Sequence, residues 1–159
     1  MKIGVISDTH LRGYDESFKQ IIELHFSGVD AIFHAGDLVD TEVLEMFPGW
    51  DVKAVCGNMD IILTDKLPAQ LEFELEGIRF GLIHGWGSPS GLRKKLRQRF
   101  GAIDCLVYGH THQAYNQIED GVLYFNPGSP SGMRGPFLNQ KTIGILEINN
   151  GISGRIINI

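Results

Sequence analysis

Five short segments of this sequence carry side chains that a divalent cation binds: Asp8-Thr9-His10, Gly36-Asp37, Gly57-Asn58, His84-Gly85 and Gly109-His110-Thr111-His112. The donors are carboxylate, imidazole and amide oxygen, with no thiolate among them. That set suits manganese, nickel, iron, cobalt or zinc in a redox-neutral hydrolytic centre, unlike the cysteine-rich set of a structural zinc site. Seven side chains, Asp8, His10, Asp37, Asn58, His84, His110 and His112, exceed what one cation with open positions needs. Two cations sharing a carboxylate, roughly 3.5 to 4 Å apart, use them well. Glycines beside the ligands, at Gly36, Gly57, Gly85 and Gly109, let the backbone turn sharply and come close to a metal or a phosphate. A single histidine at a strand end is ordinarily a hydrogen-bonded structural residue, so the weight lies in the conjunction.

The elements that must position these segments alternate. Lys2 to Ser7 reads as a strand. Asp15 caps a helix whose apolar residues Phe18, Ile21, Ile22 and Phe26 recur at helical spacing, with Gly28 as its stop. Ala31 to Ala35 is a second strand. Asp40 or Thr41 caps a second helix through Val43, Leu44 and Phe47 before Pro48, and Val52 to Cys56 is a third strand. Each strand thus ends at one of the metal-competent loops, and in α/β sheets the carboxyl ends of strands form the natural crevice for a site. Further on, Leu71–Leu75 and Ile78–Ile83 flank Glu76-Gly77 as a hairpin, which predicts an antiparallel sheet for the second half. A basic helix follows, then strands at Ile103 to Tyr108 and Val122 to Asn126. Thr142–Ile148 and Ile152–Ile157 form a last hairpin around Asn149-Asn150-Gly151. The pattern predicts one α/β domain over residues 1–159, a sandwich of two mixed β-sheets flanked by helices.

The five segments, in this order, resemble the calcineurin-like metallophosphoesterase superfamily. Its signature runs D-x-H, then GDxxD, then GN followed by histidine or cysteine and an acid, then H, then GHxH. Here these are Asp8-Thr9-His10, Gly36-Asp37-Leu38-Val39-Asp40, Gly57-Asn58-Met59-Asp60, His84 and Gly109-His110-Thr111-His112. The small size, the opening Lys2-Ile3-Gly4-Val5-Ile6-Ser7 and the late Asn126-Pro127-Gly128-Ser129 are similar to the compact prokaryotic YfcE-like phosphodiesterase branch. That branch is related to the retromer subunit vacuolar sorting protein 29. The resemblance implies two divalent ions, with manganese foremost. It places Asp8, His10 and His112 on one, Asn58, His84 and His110 on the other, and Asp37 between them. The implied activity is hydrolysis of a small phosphate ester by a metal-bridging hydroxide, with Asp37, Asn58 and His84 as catalytic residues.

One departure concerns Met59, where many superfamily enzymes have a histidine that helps the leaving oxygen depart and this branch often has a cysteine. A thioether cannot donate a proton, so diesters with good leaving groups are the expected substrates and alkyl monoesters poor ones. His34 is the possible replacement acid or else a structural histidine. Asp60 is either the remnant of the missing acid's partner or an anchor for a ligand imidazole. Asp40 is a helix cap or a functional member of the signature. Ser129 and Arg134 could touch phosphate or merely shape the Gly128 to Gly135 turn.

Composition excludes several classes. With 43% hydrophobic and 21% charged residues the chain is neither disordered nor a membrane protein, and no run is long enough to span a bilayer. Cys56 and Cys105 sit in apolar strand-like runs, as small buried hydrophobes rather than a disulfide. Absence of a signal peptide favours the cytoplasm. A net charge of −5 disfavours nucleic acid as a partner, although five of the eight residues from Leu92 to Arg99 are basic and Trp86 could stack on a base. Two other functions stay open on the sequence: a protein-binding scaffold like the retromer subunit, and a nuclease. Phe137, Leu138 and the hairpin edges suggest a homodimer or larger assembly.

Overall fold

Asp15 starts the first helix as its sequence position suggests, its carboxylate accepting the Phe18 N–H at 2.9 Å, and that helix lays Phe18, Ile22 and Phe26 against a sheet. The computed structural model describes residues 1–132 and 140–159. In chain order its elements are β1 (Lys2–Ile6), α1 (Glu16–Phe26), β2 (Ala31–His34), β3 (Asp51–Ala54), β4 (Gln70–Leu75), β5 (Ile78–Ile83), α2 (Leu92–Arg97), β6 (Cys105–Tyr108), β7 (Tyr115–Glu119), β8 (Val122–Asn126), β9 (Thr142–Ile148) and β10 (Ile152–Asn158), with 3₁₀ turns at Thr41–Met46 and Ile61–Leu63.

Two five-stranded sheets form, β10-β9-β1-β2-β3 and β4-β5-β6-β8-β7. The first is parallel through β1, β2 and β3 and antiparallel where the last hairpin joins β1. The strand period of two decides what each face touches. Ile3 and Val5 point between the sheets to Phe80, Leu82, Val107 and Phe125, while Ile6 joins the α1 side. Gly4 faces α1 so closely that a Cβ there would lie 2.6 Å from the Phe26 ring. A third cluster packs α2, through Leu92 and Leu96, on the outer face of the second sheet. The result is the expected α/β sandwich of two mixed sheets.

Three expectations change. The second-half sheet is mixed, not antiparallel: β4 and β5 form the hairpin, but β5, β6 and β8 are parallel. The cause is α2, which carries the chain over the sheet, a crossover that only parallel strands need. The second helix is a 3₁₀ turn, capped by Asp40 Oδ1 on the Glu42 N–H at 3.0 Å. It buries Val43 and Met46, whose spacing of three suits a 3₁₀ repeat, and Pro48 ends the segment. Strand β7 escaped the pattern because Tyr115-Asn116-Gln117-Ile118-Glu119 is a polar edge with no buried residue. Among the described residues no helix is long and apolar enough to cross a membrane. Arg134, Phe137 and Leu138, singled out in the sequence, lie outside the described residues.

Candidate metal centre

Parallel strands β1, β2 and β3 release their chains at one end of the first sheet, and β5 and β6 release theirs at the neighbouring end of the second. The loops are tied backbone to backbone. Asp8 N–H donates to Gly36 C=O at 2.9 Å, His10 N–H to Asp37 C=O at 3.0 Å, and Gly109 N–H to His84 C=O at 3.0 Å. Asp8, His10, Asp37, His110 and His112 all adopt positive φ, between 51° and 71°. Left-handed backbone costs a residue bearing a Cβ on the order of 1 kcal/mol, so its recurrence at five of the seven predicted ligands marks loops shaped by something other than chain preference.

Two groups of donors converge there. Asp8, His10 and His112 form one, and Asp8, Asp37 and His84 the other, with ligand atoms in each within 4.8 Å of one another. His112 Nε2 lies 3.2 Å from Asp8 Oδ1 and 3.1 Å from His10 Nε2. Asp37 Oδ2 is 3.7 Å from His10 Nε2 and 3.4 Å from His84 Nε2, so Asp37 reaches both groups although Asp8 is the member common to them. Asn58 and His110 sit beside each other, His110 Nδ1 being 2.9 Å from Asn58 Oδ1 while its Nε2 is 2.8 Å from Gly87 C=O. The T-shaped contact of the His84 and His110 rings, centroids 5.4 Å apart, links this pair to the second group. All seven predicted residues therefore belong to one cluster.

The cluster suits a cation. Asp8 Oδ1 and His84 Nε2 are buried and make no aligned hydrogen bond among the described residues, although His112 Nε2 lies 3.2 Å from the first and Asp37 Oδ2 3.4 Å from the second; their own separation of 3.8 Å is that of an ion pair, not a bond. Leaving such atoms unsatisfied costs about 1–3 kcal/mol each, a cost that a cation held between them would remove. The local charges agree. Burial alone would raise the Asp37 pKa, but His84, the Met59 N–H at 2.8 Å and His10 outweigh it and hold the carboxyl below its ordinary value. Burial opposes charging of His84, yet Asp37 and Asp8 raise its pKa; Asp8 raises that of His112. For His10 burial prevails and the pKa falls.

The surrounding residues act on the loops rather than on a substrate. Asp60 is fully buried and accepts the Val39 N–H at 2.6 Å and the Gly57 N–H at 2.7 Å. It is neither an acid's partner nor an anchor for an imidazole; it fastens the Asp37 loop to the Asn58 loop. His34, the possible replacement acid, is also fully buried, with Nδ1 accepting the Gly36 N–H and Nε2 3.2 Å from Thr9 Oγ1. Ser129 is buried and donates to Asp8 C=O at 2.8 Å, so its role is in the turn and not at phosphate. Ser7 Oγ donates to Asp8 Oδ2 at 2.5 Å, and the Asn126 amide holds Gly109 C=O at 2.9 Å. Ser7 and Asn126 carry no ligand signal in the sequence. The glycines serve the ligands more than the metal: a Cβ on Gly57 would lie 2.1 Å from Asp37 Oδ1, and one on Gly109 1.8 Å from Ser7 Oγ.

On the basic helix Arg93 pairs with Glu119, Lys95 donates to Trp86 C=O, and Arg97 donates to Phe100 and Gly101 C=O. Most of its charge thus anchors it to its own surroundings.

A family model described as the calcineurin-like phosphoesterase superfamily domain matches residues 1–151. The chain is 39% identical over 166 residues to a probable metallophosphoesterase of Methanocaldococcus jannaschii, covering all of this chain and 82% of the relative. To a phosphodiesterase of the same organism it is 28% identical over 162 residues, covering 92% of this chain and 93% of that one. Among solved structures, one described as a novel archaeal phosphodiesterase superposes with a TM-score of 0.75 at 26% identity over the full length of both chains. A mutant Vps29 of Entamoeba histolytica matches in fold with a TM-score of 0.74 at 22% identity, covering 100% of this chain and 99% of its own. By the breadth of the family match and the ordered motifs that carry it, the chain belongs to the calcineurin-like phosphoesterase superfamily.

Proposed function

We propose that this protein is a cytoplasmic, divalent-metal-dependent phosphodiesterase that hydrolyses a small phosphate ester at a two-metal centre. The observation that carries the reading is the pair of buried atoms, Asp8 Oδ1 and His84 Nε2, that make no aligned hydrogen bond among the described residues, at the meeting point of strained ligand loops. Asp8, His10 and His112 would hold one ion, Asn58, His84 and His110 the other, and Asp37, within reach of both groups, would span them. Divalent ions bound there activate water and neutralise charge at phosphorus. The chain's own contribution is orientation. His84 Nδ1 is fixed by Ala35 C=O at 2.7 Å, which turns Nε2 toward the carboxylates, as outer-shell partners of metal-binding histidines do. Asp60 and Ser7 hold the loops that present Asp37 and Asp8.

Met59 offers no proton to a leaving oxygen and stands 53% exposed next to Asn58; His34 is sealed away from it. Good leaving groups are therefore the preferred ones. The fold similarity to Vps29 motivates a second reading as a protein-binding scaffold, for which a complete ligand set is unnecessary. Measuring bound metal together with turnover of a diester and a monoester that share one leaving group separates the two. Diester hydrolysis that rises with added Mn²⁺ is expected; stoichiometric metal without turnover of either ester would favour the scaffold. Self-association through an open sheet edge accompanies the proposal, and monomer mass in light scattering would remove it.

A further inference from the structure

Next to the candidate centre lies a cavity of about 160 Å³ whose wall includes Cys56, Gln70, His84, Gly85, Trp86 and Arg99. Its volume equals about five waters' share of liquid water and falls well below that of a pocket for a whole drug-sized ligand. One substituent of a larger molecule fits. His84 belongs both to this wall and to the donor group with Asp8 and Asp37. His84 thus puts the cavity beside the donors, where a group carried by the phosphorus of a bound ester would be its nearest occupant.

The wall has a distinct chemistry. Trp86 is 43% exposed, and the Lys95 ammonium sits 4.3 Å from its ring centroid. An ammonium covers one face of an indole and leaves the other free, and Trp86 is part of the cavity wall. Lys95 also donates to Trp86 C=O, and His110 Nε2 is 2.8 Å from Gly87 C=O, so the Trp86-Gly87 turn is held in place before any ligand arrives. Arg99 spends its Nε on Gln70 Oε1 at 3.1 Å, and among the described residues its other guanidinium nitrogens have neither a hydrogen-bond partner nor a carboxylate. Among the described residues no acid lines the cavity. A stacking indole plus spare N–H donors suits a flat ring bearing acceptor atoms. Base-on-aromatic stacking contributes about 1–3 kcal/mol per base.

We propose that this cavity binds the nucleobase of a nucleotide-type phosphodiester, with Trp86 as the stacking platform and Arg99 as donor to the ring's acceptor atoms. The assignment rests on the phosphodiesterase reading and names its substrate class. The probes are adenosine 5′-monophosphate and ribose 5-phosphate, which differ by the base alone. As competitors of a 4-nitrophenyl diester at saturating Mn²⁺, the nucleotide should inhibit at least tenfold more tightly than the sugar phosphate. Trp86→Ala should shrink that ratio to twofold or less, Trp86→Phe should keep most of it, and Arg99→Ala should lower it severalfold. Equal inhibition by the two probes in the wild type, or an unchanged ratio in Trp86→Ala, overturns the proposal. A second measurement needs no turnover. In Trp50→Phe, where Trp86 is the remaining tryptophan, the nucleotide should quench the fluorescence of metal-free protein and ribose 5-phosphate should not; quenching by neither overturns the assignment. If no diester is hydrolysed but quenching is selective for the nucleotide, the phosphodiesterase reading fails and the cavity assignment stands.

Discussion

The carboxyl ends of β2 and β5 each bury a histidine near the same carboxylates, and the two imidazoles are in opposite conditions. His34, with none of its surface exposed, has both ring nitrogens engaged, Nδ1 by the Gly36 N–H and Nε2 by Thr9. Since Nδ1 accepts, the proton sits on Nε2 and the ring is neutral, in keeping with a pKa that burial lowers from 6.5 to about 4. His84 spends Nδ1 on Ala35 C=O and keeps a buried Nε2 with no aligned hydrogen bond among the described residues, beside Asp37 and Asp8, which raise its pKa against the effect of burial. A saturated buried histidine holds loops together. A buried histidine with one idle nitrogen aimed at carboxylates has the geometry that the proposed metal ligand needs.

Removing the idle nitrogen is the strongest way to break this contrast. His84→Gln and Asp37→Ala should each lower diester turnover more than about 100-fold, beyond the 10–100-fold typical of losing an outer-shell partner, while circular dichroism stays that of the wild type. Wild-type turnover in Asp37→Ala would end its spanning role.

Substituting His34 should act on stability instead. His34→Ala strips partners from the Gly36 N–H and Thr9 and leaves a void, for an expected loss of about 2–4 kcal/mol in urea unfolding with chelator present. His84→Gln should lose less, because one of its nitrogens has no bond to forfeit. Equal losses would mean that the two sites differ less than their hydrogen bonds indicate.

Acid sharpens the comparison further. With its folded pKa depressed from 6.5 to about 4, His34 binds protons more readily in the unfolded chain, so its contribution is complete above pH 6.5 and declines as the pH falls toward 4. Between pH 6.5 and 5 the metal-free wild type should lose roughly 2 kcal/mol more than His34→Gln. Parallel pH profiles for the two proteins would show that His34 accepts a proton in the folded state without penalty.

The smallest effect concerns the exposed neighbour of the centre. Met59→His places an imidazole beside Asn58 and should raise alkyl-ester turnover about tenfold, less than the 10²–10⁴ that a positioned general acid supplies, and leave aryl diesters unchanged. Equal gains on both ester classes would point to better metal binding rather than to a proton donor.

Much of the centre was legible in the residue order. Cation ligands recur after successive apolar runs, and strand ends of an α/β sheet must converge, so the seven residues could be grouped without coordinates. The caps Asp15 and Asp40 were readable for the same local reason: a carboxylate three or two residues ahead of a free N–H finds it. What the tertiary structure decided are matters of pairing across long separations. Strand β6 runs parallel to β5 because α2 crosses between them, and β7 forms on an edge where burial imposes no apolar pattern. Asp60 and His34 have residue types that fit catalysis as well as structure. Only the N–H groups that fold against them, Val39 and Gly57 for one and Gly36 for the other, settle which. Side-chain chemistry is written residue by residue, whereas hydrogen-bond saturation depends on which distant backbone arrives to complete it.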